Sequence, residues 1–167
     1  MQADQKPIAV ILSCADSRVL PEQIFSQGIG DIFVIRVAGN IAQSSQIGSI
    51  EYAVKQYDIP LVIVLGHSDC GAISATINVC KDSSKVLPEN LKKIVEDIKP
   101  TVIDVYECNK TAELDEIASL AIKANAVNIA SELCDDSAFL KERIDSGDLR
   151  IVAAKFNMDT AIVEFFD

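Results

Sequence analysis

An α/β fold with a mostly parallel central sheet, one antiparallel edge strand and flanking helices is predicted by three features of this 167-residue chain. Runs of apolar, β-prone residues (Ile8 to Ser13, Ile32 to Ala38, Leu61 to Leu65) alternate with helical patterns. Ile8 to Ser13 is nearly all apolar and so reads as a strand buried on both faces. The last stretch, Leu149 to Phe156, a turn at Asn157 to Asp159 and then Ala161 to Phe166, reads as a terminal hairpin. Hydrophobic residues make up 49% and aromatics 5% with no Trp, so the expected core is aliphatic and small-residue.

Ile8 to Ser13 is the first strand. Pro21 opens a helical turn over Glu22 to Gln27, which Gly28 and Gly30 end. Ile32 to Ala38 forms the second strand, before a Gly39-Asn40 turn. Ile47 to Tyr57 is an amphipathic helix with Ile47, Ile50, Tyr52, Val54 and Tyr57 on its inner side, closed by Asp58 and Pro60. Leu61 to Leu65 is the third strand, and helix resumes over Gly71 to Cys80. A polar stretch, Lys81 to Lys85, separates it from a helix over Pro88 to Asp97 and a short helical piece after Pro100. Thr111 to Leu133 is the longest helical pattern, with Thr111 as its cap. Ser137 to Asp145 is the last helix, stopped by Gly147. No internal repeat or low-complexity segment is present.

The length predicts a single domain over residues 1–167 with its own core. A formal charge of −10 argues against nucleic acid or an anionic membrane as partner. No apolar run approaches the roughly 18 residues that span a bilayer. The polar start, Met1 to Lys6, lacks the layout of a signal peptide. Five cysteines at irregular spacing fit free thiols in a reducing compartment. The expected location is cytoplasmic, although a targeting segment removed beforehand would leave no trace.

Two segments carry chemistry. Cys14-Ala15-Asp16-Ser17-Arg18 follows the first strand and Gly66-His67-Ser68-Asp69-Cys70-Gly71 follows the third. Strand ends are where an open α/β sheet builds its ligand sites. A lone histidine there is more often structural than ligating. His67-x-x-Cys70 at a strand-to-helix turn lets both side chains face one point, however, and Cys14 adds a second thiol at an equivalent strand end. Three N/S ligands without an obvious fourth point to a catalytic rather than a structural zinc. Cys80, Cys108 and Cys134 sit in helical patterns without a His or Cys partner nearby and read as small buried hydrophobes. Asp16 and Arg18 read either as a surface ion pair of little value or as a carboxylate fixed by a bidentate contact. In the second case Asp16 accepts a hydrogen bond from zinc-bound water or hydroxide.

Four motifs, Cys14 to Arg18, Arg36-Val37-Ala38-Gly39-Asn40, Ser49-Ile50-Glu51-Tyr52-Ala53-Val54 and Gly66 to Ala72, resemble the β-class carbonic anhydrases in order and spacing. The likeness runs from about Gln5 to Ile73, and more loosely over Gly147 to Phe166. It implies a β-carbonic-anhydrase-like fold and one Zn2+ per chain, with Cys14, His67 and Cys70 as ligands. Asp16 and Arg18 would be the catalytic dyad. Gln5, Phe33 and Tyr52 fall at substrate-pocket positions, and the Gly71 N–H would donate to a substrate oxygen. Ile11 stands where a bicarbonate-inhibited subgroup carries tryptophan, which favours a zinc position open to water over one closed by Asp16. The implied reaction is reversible hydration of carbon dioxide to bicarbonate by a zinc-bound hydroxide. The implied assembly is a homodimer or higher even oligomer, with Gln5, Phe33 and Tyr52 partly facing the neighbouring chain's zinc.

The sequence departs from that family in two places. The helices that usually precede the first strand are missing, which implies a weaker dimer or a trimmed or naturally short domain. Ala153 and Ala161 stand where glycine is common. Two thiolates formally cancel the charge of Zn2+, so a bound-water pKa somewhat above the roughly 7 of an all-histidine site is expected. His67 is the only histidine, so protons would leave through carboxylates, Tyr52, water or buffer. The alternatives are hydrolysis of carbon disulfide or carbonyl sulfide on the same fold, and a non-catalytic zinc- or bicarbonate-binding domain. A cysteine phosphatase is disfavoured because three rather than five residues separate Cys14 from Arg18. A thioredoxin-like role is disfavoured because position 67 is His.

Overall fold

Five strands form one sheet in the order β2-β1-β3-β4-β5 in a computed structural model that describes residues 4–166. The first three residues of the polar start, and Asp167, lie outside the described residues. The strands are β1 (Val10–Ser13), β2 (Phe33–Arg36), β3 (Leu61–His67), β4 (Arg150–Asn157) and β5 (Ile162–Phe166). The first four are mutually parallel, and β5 returns antiparallel along β4. The helices are α1 (Pro21–Ile24), α2 (Ser44–Tyr57), α3 (Gly71–Lys81), α4 (Glu89–Cys108), α5 (Leu114–Asp136) and α6 (Ala138–Asp145), with a 3-10 turn at Ala38–Asn40. The expected architecture, including the terminal hairpin, is the one found.

Alternation along the strands divides the core. Val10, Leu12, Val62 and Val64 face α2, α5 and α6 through Ile50, Val54, Ile129, Leu133 and Leu140. Ile11, Ile63 and Leu65 face the other way, toward Val19, Ile24, Phe25 and Met158. A third cluster joins α3, α4 and α5 through Ile73, Ile77, Ile98, Val102, Ile117 and Ile122, and it reaches Cys14 and Cys70. Among the described residues no helix is long and apolar enough to cross a membrane.

Several elements differ from the sequence expectation. The third strand runs two residues further, so His67 ends the strand itself. Helix α2 starts at Ser44, three residues early, because Gln43 and Gln46 form a reciprocal capping box. Its buried residues are Ile50, Ala53 and Val54, whereas Tyr52 is 54% exposed. Tyr52 lies two residues from Ile50, roughly 200° around the helix, so the two cannot share a face. Helix α4 continues through Pro100 as one 20-residue helix. Val95, Ile98 and Val102 are buried on both sides of the proline. Each such side chain contributes about 1.5–3 kcal/mol, enough together to offset the roughly 3 kcal/mol of an interior proline. The cap of α5 is Glu113, not Thr111. Cys80 and Cys134 are half-buried and Cys108 is exposed, so none of the three is the core hydrophobe expected.

Candidate metal centre

Parallel pairing of β1 with β3 sets Ser13 opposite Leu65. The next residue of β1 and the last of β3 therefore deliver Cys14 and His67 to the same end of the sheet. Asp69, at φ +56°, turns the chain back, and Cys70 closes the set as the N-cap residue of α3. The Cys14 and Cys70 sulfurs and a His67 ring nitrogen all lie within 4.8 Å of one another, and all three residues are buried. Zinc bonds of about 2.0–2.3 Å place tetrahedral ligand atoms about 3.3–3.8 Å apart, a compatible scale.

His67 tests whether the cluster suits a metal ion. Its Nδ1 lies 2.8 Å from the Ser68 carbonyl oxygen. A carbonyl only accepts, so Nδ1 carries the proton and Nε2 presents a lone pair. Among the described residues Nε2 is buried with no hydrogen-bond partner. A buried acceptor left unpaired costs about 1–3 kcal/mol, and a soft divalent cation between it and two thiols satisfies it.

The two thiols are electrostatically linked. The hydrogen bond with Cys70 draws the Cys14 pKa down to about 4 against the opposing effect of burial, with further help from the Gly39 and Asp16 amides. The same pairing with Cys14, together with burial, pushes Cys70 well up, while the Ala72 and Ile73 amides oppose it. The pair thus holds one thiolate and one shared proton, which a metal displaces. Those amides belong to the N-terminal turn of α3, whose dipole favours negative charge.

Around the thiols lies a frame of charge-assisted bonds. Arg18 donates from Nε to Asp16 Oδ1 at 2.9 Å and from Nη2 to Oδ2 at 2.8 Å, and its own amide reaches Oδ1 at 3.0 Å. These bonds hold the Asp16 carboxyl far below the usual carboxylate range. The Arg18 Nη2 also donates to the Asp69 carbonyl at 3.3 Å, tying the first ligand loop to the second. Arg36 donates to the carbonyls of Cys14 at 3.0 Å and Asp16 at 2.5 Å. The Gly39 amide points at Cys14 Sγ at 3.4 Å, and buried Asn125 on α5 donates to the Gly39 carbonyl at 3.0 Å. Gly39 adopts φ +72°, and a Cβ there would lie 2.5 Å from Ile98 Cδ1 and 3.1 Å from Ala72 Cβ. Only glycine fits both demands.

The structure brings Cys14, Asp16, Arg18, His67, Cys70 and Gly71 together. Gly71 begins α3, and nothing lies within 4 Å of where its Cβ would stand. Gln5, Phe33 and Tyr52 form a separate group. Gln5 Nε2 donates to the Tyr57 hydroxyl at 2.6 Å, and the rings of Phe33, Tyr52 and Tyr57 pack at 6.2–6.3 Å. Phe33 pairs with Val10 at the start of β1, about 13 Å along the strand from Cys14 at 3.3 Å per residue. Sequence reasoning gave no role to Arg36, Gly39 or Asn125. The first two stand in the Arg36 to Asn40 motif, whereas Asn125 has no local signal.

The carbonic anhydrase family model matches residues 9–163. The chain belongs to the β-class carbonic anhydrases. Within that family it is 38% identical over 160 residues to carbonic anhydrase 2 of Mycobacterium tuberculosis, covering 95% of this chain and 74% of that one. The solved β-carbonic anhydrase CcaA is similar at a TM-score of 0.82 and 27% identity, over 98% of this chain and 74% of that chain. A tetrameric β-carbonic anhydrase from Sordaria macrospora shares the fold at a TM-score of 0.87 and 20% identity, over 97% of this chain and 81% of its own.

Proposed function

We propose that this β-carbonic anhydrase catalyses reversible hydration of carbon dioxide to bicarbonate, with one Zn2+ per chain held by Cys14, His67 and Cys70. The observation that carries the reading is a buried histidine, its Nε2 unpartnered, clustered with two thiols beside an arginine-anchored carboxylate. Zinc held there supplies the Lewis acidity that makes water a nucleophile near neutral pH.

The chain's own residues set the geometry. Asp16 Oδ1 is filled by two bonds from Arg18, whereas Oδ2 takes one and keeps acceptor capacity. Ionised and held by Arg18, Asp16 accepts but does not donate. It therefore turns a hydrogen of the attacking water toward itself and a lone pair toward carbon dioxide. The Gly71 amide, in the first turn of α3 beside Cys70, donates to a substrate oxygen.

Residues 1–167 act as one domain, and a homodimer or higher even oligomer completes the site. The group of Gln5, Phe33 and Tyr52 supports this reading. It gathers Phe33 of the edge strand β2, Tyr52 of α2 and Gln5 ahead of β1, with Phe33 far along the sheet from its own Cys14 and Tyr52 54% exposed. Five free cysteines fit a reducing, cytoplasmic setting.

Stopped-flow hydration on zinc-replete protein tests the proposal. Catalysis above the buffer background is expected, with zinc content and turnover both lost in Cys14→Ser. Zinc-replete protein that leaves the hydration rate at background overturns the proposed activity.

A further inference from the structure

Helices α3 and α4 and the loop between them enclose a second cavity of about 170 Å3, and its lining is unusual for so acidic a chain. Lys85 and Ser83 come from the loop, and Lys92, Val95, Glu96 and Lys99 lie on one face of α4 at spacings of three and four. Val79 and Leu87 complete an apolar wall. Five of the chain's 15 lysines and arginines fall between residues 81 and 99, although acidic residues outnumber basic ones 25 to 15 overall.

The charges at this cavity do not balance. Lys92 pairs with Glu96 at 3.5 Å, but among the described residues neither Lys85 nor Lys99 makes a salt bridge. Three ammonium groups and one carboxylate line the space, and even with the Asp82 carboxylate near Lys85 counted the balance stays positive. Like charges sharing a cavity well within a Debye length repel, and an occupant with two negative charges removes that repulsion. A phosphomonoester carries about −1.5 to −2 near neutral pH and offers three acceptor oxygens. Lysines bind phosphate as point charges without needing the fork geometry of arginine, and the Ser83 hydroxyl can add a donor. The volume, below the roughly 300 Å3 at which drug-sized ligands start to fit, limits the rest of the molecule to a short apolar group against Val79, Leu87 and Val95.

We propose that this cavity binds a small phosphomonoester with a compact apolar body, through Lys85, Lys92 and Lys99. The site is separate from the metal centre. It is nonetheless mechanically close to it, since Ile98, next to Lys99, fills the space against Gly39.

Titration calorimetry of zinc-replete protein with phenyl phosphate, inorganic phosphate and phenol tests this. Phenyl phosphate is expected to bind more tightly than inorganic phosphate, and phenol not at all. Lys85→Met with Lys99→Met should weaken phenyl phosphate about tenfold or more while leaving hydration turnover and melting temperature unchanged. The charge-matched pair Lys55→Met with Lys141→Met should bind as wild type does. If the double variant melts early, Lys85→Met alone, in the loop, carries the same expectation of weaker binding. Equal affinity in wild type and the cavity variant, equal losses in both pairs, or no binding at millimolar phenyl phosphate would each overturn the site.

Discussion

Asp16 stays charged because Arg18 reaches both of its oxygens, and that arrangement separates its proposed orienting role from any role in holding metal. Asp16→Asn is therefore expected to keep one zinc per chain while lowering kcat/KM about a hundredfold or more. Elemental analysis beside stopped-flow hydration checks it, and full activity in the variant would remove Asp16 from the chemistry. The thiols make a second prediction at this scale. With metal stripped, Cys14 has its pKa lowered to about 4 and Cys70 has its own raised. For Cys14 the sign follows from linkage: its contribution to stability is complete above the ordinary thiol pKa and is lost as pH falls through about 4. For Cys70 it reverses, with stability lost as pH rises beyond the ordinary thiol range. Ultraviolet thiolate absorbance of metal-free wild type minus metal-free Cys14→Ser should show one thiolate persisting from neutral pH down to about 4. The Cys14, His67 and Cys70 cluster was legible in the sequence because each member sits within a few residues of a strand end. Asn125 was not legible, since it is 86 residues from the Gly39 carbonyl it holds and only tertiary packing joins them.

At the scale of elements, strands were easier to read than helices for a physical reason. A parallel strand buried on both faces is apolar at every position, and β1 is buried throughout. Helix α4 departs from the sequence expectation because Pro100 is a strong local stop signal, while what carries the helix past it is burial against α3 and α5. Pro100 is exposed and has no amide proton, so Glu96 lacks its helical donor. Pro100→Ala should stabilise the protein by about 2 kcal/mol in urea unfolding, less any gain of unfolded-state entropy. A loss of stability would mean that the ring makes packing contacts worth more than the hydrogen bond. Tyr52 illustrates the opposite error. Its large apolar ring suggests the buried stripe, yet helical geometry turns it outward to meet Phe33 and Tyr57.

For the molecule as a whole, the proton path is set by composition. His67 is the only imidazole, and its Nδ1 is committed to the Ser68 carbonyl. No second histidine can relay protons, so turnover at fixed pH and ionic strength should rise severalfold between low and high buffer concentration before reaching a plateau. A flat response in stopped-flow assays would show an internal carrier among the carboxylates or Tyr52. The same count makes the protein its own reporter. Histidine labelled with nitrogen-15 in the ring alone places two resonances in the entire chain, one protonated and one bearing a lone pair. Titrating zinc into stripped protein should move the second and leave the first nearly still. In a symmetric assembly that pair appears once, and in an asymmetric one it splits, so a single spectrum reads occupancy and symmetry together without any assignment.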